Sequence, residues 1–205
     1  MDVKAGVLAT IGGTPLVKLR RVVPAGCAEI VVKVEGQNPT GSMKDRMAQA
    51  MIARAEADGR LKPGGTVVEY TGGSTGASLA LVCAARGYHL RIVSSDAFSE
   101  EKLAQMAALS GGRPGAHRIE GIGIGYRPPM WDDALPDEVV PVPTADAEGM
   151  ARRLAREEGL FAGTSSGANV LAAIQVGLRL GSGARIATLL VDSGLKYLST
   201  PVYRR

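Results

Sequence analysis

The sequence predicts an α/β protein of three layers, a mostly parallel sheet with helices on both faces. Three observations carry that expectation. Short β-branched runs alternate with helical patterns, turn-rich loops stand between them, and the composition is aliphatic. Of 205 residues, 45% are hydrophobic and 4% aromatic, enough apolar material for a core that has to be built from aliphatic side chains. Glycine is the outlier: 27 residues make about 13% of the chain where ordinary usage is near 7%, with no collagen-like period, so many tight turns are required.

The elements follow in order. Glu29 to Val34 is a β-branched run, GQNPTGS a turn, and Met43 to Ala57 a helical pattern. The unit repeats with Thr66 to Glu69 as strand, TGGSTG as loop and Ala77 to Ala85 as an apolar helix that ends at Gly87. Leu90 to Ser94 is the next strand, and Ser99 is a good N-cap for a helix to Leu109. From Ser110 the pattern fails, because Gly and Pro recur at intervals too short for regular elements; such a stretch is loop or site. Val139 to Val142 restores it as a strand, Ala145 to Glu158 is an amphipathic helix closed by Gly159, Asn169 to Leu180 is a third apolar helix, and Arg185 to Val191 is the last buried strand. With no internal repeat or low-complexity linker, residues 1–205 form one domain, divisible into an N-terminal part (1–109) and a C-terminal part (110–205).

Several function classes are disfavoured. The net charge is +4, but Lys and Arg are scattered, and Arg152, Arg153 and Arg156 stand with Glu157 and Glu158 as a solvated helix face, so nucleic acid is not an expected partner. Cys27 and Cys83 lie far apart in a chain that needs no staple, which predicts a reduced, cytoplasmic protein. The longest apolar run, Ala77 to Ala85, is far short of a membrane span, and no export signal opens the chain. With only His89 and His117 beside two cysteines, no metal site and no histidine triad are expected.

Three loops share one design, in which a strand feeds a Gly/Ser/Thr turn and a helix begins there. NPTGSMK (38–44), TGGSTG (71–76) and GTSSGA (163–168) each aim backbone N–H groups at something anionic, and three after strands place them on one rim. Lys44 is the sharpest single residue. At the positive end of a helix its ammonium is disfavoured, and a depressed pKa makes the amine a nucleophile able to join an aldehyde cofactor. The bland counterpart is a first-turn surface lysine, with Asp45 and Arg46 paired to each other on a solvated face.

Taken together and in this order, IGGTPLVKL, NPTGSMKDR, TGGSTG, SGGRPGAHRIEGIG, GTSSGA and DSGLKYLST resemble the cysteine synthase and cystathionine beta-synthase family, pyridoxal-phosphate enzymes of the second fold type with a tryptophan synthase beta-like fold. The motifs span Ile11 to Tyr203. The resemblance implies pyridoxal 5'-phosphate as cofactor and β-replacement on an O-activated serine, giving cysteine or a related amino acid. It assigns the imine and the α-proton base to Lys44. The substrate carboxylate falls to Thr71, Gly72, Gly73 and Thr75, and the pyridine nitrogen to Ser193, whose hydroxyl, unlike a carboxylate, leaves that nitrogen unprotonated. A small amino-acid substrate and a homodimer, which would also cover sheet edges, are expected as partners. Serine or threonine dehydration and a cystathionine beta-synthase-like reaction are rivals within the class. A non-catalytic binding protein, or a truncated gene product lacking the phosphate loop, is the rival outside it, and a serine hydrolase using Ser42 or Ser74 with Lys44 the most remote.

Two departures stand out. At Ser74 the family pattern has an asparagine whose amide reaches the cofactor's phenolic oxygen; serine keeps one, shorter donor. After Leu109 the family pattern continues through about a hundred residues, a domain's worth, including a Gly-Thr-Gly-Gly-Thr loop for the cofactor phosphate. Here Leu109 runs directly into SGGRPG, and GIGIG (121–125) is the only glycine-rich run nearby. An internal deletion that removes central strands and the phosphate loop is expected.

Overall fold

The computed structural model describes residues 3–71, 73–93, 105, 108–109 and 136–204. The strands β1 (Leu16–Lys18), β2 (Glu29–Val34), β3 (Thr66–Tyr70), β4 (His89–Val93) and β5 (Arg185–Leu190) fall into two sheets. In the first, of order β1-β2-β5, β1 runs antiparallel to β2, while β2 and β5 pair in parallel with Ile30 opposite Ile186 and Val32 opposite Thr188. In the second, β3 and β4 are parallel, as a crossover through a helix requires. The three-layer fold of the sequence expectation is thus present with its parallel strands shared between two small sheets.

The helices are α1 (Lys44–Ala57), α2 (Ser74–Arg86), α3 (Thr144–Arg153) and α4 (Thr164–Leu180), with a π-helical turn over Leu154–Glu158 continuing α3. Gly87 (φ 76°) and Gly159 (φ 70°) close α2 and the π-helical turn in the left-handed conformation, as expected of them. The expected strand at Val139–Val142 does not form: Pro141 and Pro143 remove two ladder donors, and Val139 is 70% exposed with no strand beside it among the described residues. The expected helix from Ser99 to Leu109 and the glycine-rich run 121–125 lie outside the described residues, apart from 105, 108 and 109.

Each sheet has its own core. Ile30, Val32 and Leu190 of the first pack with Met150, Leu154, Val170 and Ile174 of α3, its π turn and α4. Ala48, Ile52, Leu79, Val82 and Cys83 join α1 to α2, with Val67 and Leu90 of the second sheet against them. Helices α3 and α4 meet at Gly167, where a Cβ would lie 2.0 Å from the Ala147 carbonyl oxygen. Cys27 and Cys83 are both buried and free.

The N-terminal segment is tied to the loop before α1 by a buried carboxylate. Glu35, 2% exposed, accepts from Arg46 Nε at 2.7 Å and Nη2 at 2.9 Å, from Thr14 Oγ1 at 2.7 Å and from Asn38 Nδ2 at 2.8 Å. Asn38 in turn accepts from the Gly12 N–H at 2.9 Å. The expected Asp45–Arg46 pair is therefore replaced. Consecutive helical residues point in different directions, so Arg46 reaches Glu35 while Asp45, fully buried, turns inward.

Two predictions follow from packing and charge. Gly167→Ala forces a side chain into the Ala147 backbone and is expected to cost about 1–3 kcal/mol or more, measured as a lower urea midpoint at unchanged slope. The Arg46 guanidinium foremost, then Thr14 and Asn38, hold the Glu35 carboxyl at about 2 instead of the ordinary 4.5. Because the folded-state pKa is depressed, the network's contribution is complete above 4.5 and is lost as pH falls towards 2. Wild-type urea midpoints are expected to fall more steeply across that window than those of Glu35→Gln, which should itself cost about 1–3 kcal/mol at neutral pH. Parallel pH curves for the two proteins would contradict this.

Candidate functional site

The three Gly/Ser/Thr loops converge on residues 191–193, the stretch just after β5. On one side Met43 N–H donates to the Val191 carbonyl at 2.9 Å, Ser193 N–H donates to the Gly41 carbonyl at 2.9 Å, and Ser42 forms an antiparallel bridge with Asp192. On the other side Val191 N–H donates to Ser166 Oγ at 2.9 Å, Gly163 N–H to the Asp192 carbonyl at 3.3 Å and Gly194 N–H to the Phe161 carbonyl at 3.1 Å, with Ala162 bridged to Ser193. The third loop reaches the same place through Ser74, whose Oγ donates to Asp192 Oδ2 at 3.4 Å. The rim expected from the sequence is this clasp.

Each loop has a local reason for its shape. Gly41 (φ 77°) takes a conformation that favours glycine and lies against Ser193, whose Cβ would be 3.3 Å from an added one. Asp45, in the first turn of α1, fastens the loop to its helix: it accepts from Thr40 N–H at 2.8 Å and Thr40 Oγ1 at 2.5 Å, and from Ser78 Oγ of α2 at 2.5 Å. At Gly163, before α4, a Cβ would lie 2.4 Å from the Tyr197 ring and 2.5 Å from Asp192 Oδ1, so only glycine fits.

Lys44, half-buried, is the first residue of α1, and its N–H donates to Ser42 Oγ at 3.2 Å. It stands two residues after Ser42, which bridges to Asp192; the residue set against Ser193 is Gly41. Ser193 Oγ accepts from the Leu195 N–H at 3.2 Å. Thr71 follows β3, with its N–H on the Val93 carbonyl at 2.8 Å and its Oγ1 accepting from Gly73 N–H at 3.3 Å; Thr75 lies in the first turn of α2. Gly72 lies outside the described residues. Ser74 thus reaches Asp192 beside Ser193, and Lys44 opens α1 directly after the 41–43 side of the clasp. Ser42 is fully buried with its oxygen engaged by a backbone N–H, which disposes of it as an exposed hydrolytic nucleophile.

Three side chains of the site were not singled out from the sequence, although they lie inside DSGLKYLST. Asp192 is 4% exposed and accepts from Tyr197 Oη at 2.8 Å; burial foremost, then the Asp192 charge, pushes the Tyr197 hydroxyl far above its usual range. Lys196 is 5% exposed, and its Nζ donates to Ser74 Oγ at 3.3 Å and Gln105 Oε1 at 3.0 Å. The available signal was spacing, since positions 192, 193, 196 and 197 follow a buried strand in a short turn.

Comparison with known proteins places these features in a family. The family model described as pyridoxal-phosphate dependent enzyme matches residues 7–113. A cysteine synthase of Staphylococcus aureus is 32% identical over 294 positions, covering 94% of this chain and 95% of the relative. An alignment of 294 positions against a chain of 205 residues leaves at least 89 positions of the relative without a counterpart, in keeping with the expected internal shortening. Among solved structures, O-ureido-L-serine synthase superposes with a TM-score of 0.88 at 27% identity, covering 98% of this chain and 96% of that one. O-acetyl serine sulfhydrylase isoform 3 of Entamoeba histolytica gives 0.87 at 26%, covering 100% and 92%. On the family match and the near end-to-end similarity to cysteine synthase, the chain belongs to the pyridoxal-phosphate dependent enzymes.

Proposed function

We propose that this chain carries out β-replacement on an O-activated serine, giving cysteine or a related amino acid. The observation that carries the reading is the meeting of Ser74 and the Ser193 stretch at the clasp after β5, with Lys44 opening α1 directly after its 41–43 side, in a chain whose relatives include named cysteine synthases and an O-acetyl serine sulfhydrylase. When bound, pyridoxal 5'-phosphate supplies an aldehyde that joins an amine and a ring that draws electrons from an amino acid's α-carbon. The donor set suits those two ends: a primary amine on Lys44, and hydroxyls on Ser74 and Ser193.

Lys44 holds the aldehyde end and afterwards removes the α-proton of the substrate, a role that its place at the start of α1 supports. Ser193 would face the ring nitrogen of the bound cofactor. Its oxygen already accepts from Leu195 N–H, which leaves its own proton to donate, and a neutral hydroxyl there would leave the nitrogen unprotonated, as suits replacement at an activated β-oxygen. Ser74 would meet the phenolic oxygen, and Thr71, Gly72, Gly73 and Thr75 would hold the substrate carboxylate at the positive end of α2. Dehydration of serine or threonine and a cystathionine beta-synthase-like reaction would use the same residues; the named relatives favour replacement. The further expectations are one shortened domain acting as a cytoplasmic homodimer, supported by the family resemblance and the two free cysteines. No described helix is long and apolar enough to cross a membrane.

Incubation with pyridoxal phosphate followed by borohydride is expected to leave a pyridoxyl group on the peptide containing Lys44, detected by mass spectrometry, and Lys44→Ala is expected to abolish it. Cysteine formation from O-acetylserine and sulfide should fall about 10²–10⁴-fold or more in the same variant. A wild-type protein that takes up no pyridoxal phosphate would refute the proposed function. For the dimer, elution at the monomer volume at every concentration tested would count against it.

A further inference from the structure

The strands β2 and β5 leave the first sheet side by side, with Val34 opposite Leu190. The chain after β2 passes through Glu35 into the 36–41 loop, the chain after β5 runs to Ser193, and the two meet again there. An added Cβ on Gly36 would stand 3.2 Å from the Ser193 backbone nitrogen, and one on Gly41 would stand 3.3 Å from Ser193 Cβ. The Ser193 N–H donates to the Gly41 carbonyl at 2.9 Å. Both ends of one loop therefore fix the backbone of Ser193, while the Leu195 N–H engages its hydroxyl oxygen. A cavity of about 450 Å³ opens beside Gly36, Asn38, Gly41 and Ser193.

The shape of that loop is set by Glu35. Its buried carboxylate only accepts: Oε1 takes Arg46 Nη2 and Thr14 Oγ1, and Oε2 takes Arg46 Nε and Asn38 Nδ2. Asn38 is bound to Glu35 twice more, since its N–H and its Nδ2 both donate to the Glu35 carbonyl, at 3.2 and 2.9 Å. The Asn38 carbonyl then accepts from the Gly41 N–H at 2.7 Å. A continuous run of hydrogen bonds thus leads from the carboxylate through Asn38 and Gly41 to Ser193. On the other side Arg46 stands two residues after Lys44, so the same carboxylate ties the loop to the helix that the amine opens. An amide in its place would offer one oxygen to four donors and turn an NH₂ group towards two of them, so even the isosteric glutamine cannot satisfy the set.

We propose that Glu35 is a positioning residue for Ser193: through Asn38 and Gly41 it holds the 36–41 loop against the Ser193 backbone, and through Arg46 it links that loop to the helix beginning at Lys44. What Ser193 does for a bound cofactor rests on the function proposed above; the link from Glu35 to Ser193 rests on the hydrogen bonds and close contacts alone. The buried charge network then has a task in the site besides the stability it gives the fold.

The test has two arms. In the first, amide hydrogen exchange of the full chain is followed by NMR without any ligand, and the Ser193 N–H is compared with that of Val32 in β2. Glu35→Gln is expected to speed exchange at Ser193 about tenfold or more relative to Val32, whereas Ile174→Val, a first-core change placed away from the loop, should leave the ratio within about twofold. An unchanged ratio in Glu35→Gln, or an equal change in Ile174→Val, overturns the proposal. In the second arm, affinity for pyridoxal phosphate is measured for the wild type, Glu35→Gln, Ser193→Ala and the double variant. Glu35→Gln is expected to weaken binding about tenfold in the wild-type background and less than about twofold once Ser193 is alanine. Additive losses overturn the positioning role, because a carboxylate that merely stabilises the fold would act equally in both backgrounds. Should Glu35→Gln fail to fold, Asn38→Ala cuts the same route beyond the Arg46 pair and carries both comparisons. A wild type that takes up no pyridoxal phosphate removes the proposed function instead, and the exchange arm then decides the link from Glu35 to Ser193.

Discussion

Residues 191–193 are where the molecule is joined. The strand β5 brings them out of the first core, and their backbone groups are then shared between the loop before α1 and the loop before α4. The second core has no strand in common with the first, so its orientation depends on α1, whose N-terminus is held by that clasp and by Asp45. Asp45 has a further effect. By accepting from Thr40 on one side and Ser78 on the other, it fixes α2, and with it Ser74, against the place where Lys44 begins α1. One buried carboxylate and one backbone clasp thus set the relative positions of three loops distant in sequence.

Helices were legible wherever the chain punctuates them. Gly87 and Gly159 both stop helices in the left-handed conformation, and α1 differs from expectation by one residue, because a stop or start is encoded by a few neighbouring residues. The same reasoning failed at Val139–Val142. An apolar run with a β-branched composition satisfies a strand pattern, but pairing requires N–H groups that Pro141 and Pro143 do not have and a partner that no local pattern can supply. The division of the parallel strands between two sheets is a similar case, since sheet membership is decided by neighbours far along the chain.

The site was legible as motifs and illegible as contacts. Lys44 could be picked out because it ends a glycine-bearing turn at a helix start, whereas Ser74 and Ser193 were reached through the family resemblance; the structure sets Ser74 on Asp192, next to Ser193. What escaped were interactions between segments: Ser74 with Asp192 across 118 residues, Lys196 with Ser74 across 122, and Glu35 with Arg46 across a turn of helix and a loop. Arg46 shows the reason most plainly. Beside Asp45 in sequence it invites a local pair, yet the helix turns neighbouring side chains apart, and the buried Glu35 offers two oxygens to its guanidinium.

The clasp also explains how a chain lacking at least 89 positions of its relative keeps a recognisable site. Among the described residues its backbone contacts come from residues 41–43, 161–163 and 191–194, joined by the Ser166 hydroxyl, and each core is closed by helices from one side of the junction at Leu109 and Ser110: α1 and α2 before it, α3 and α4 after it. Shortening at that junction, as the sequence pattern implies, would leave Lys44, Ser193 and the TGGSTG loop on intact supports. A phosphate cradle carried by the missing segment would be lost outright, because donors that belong to another part of the chain cannot be recovered by repacking.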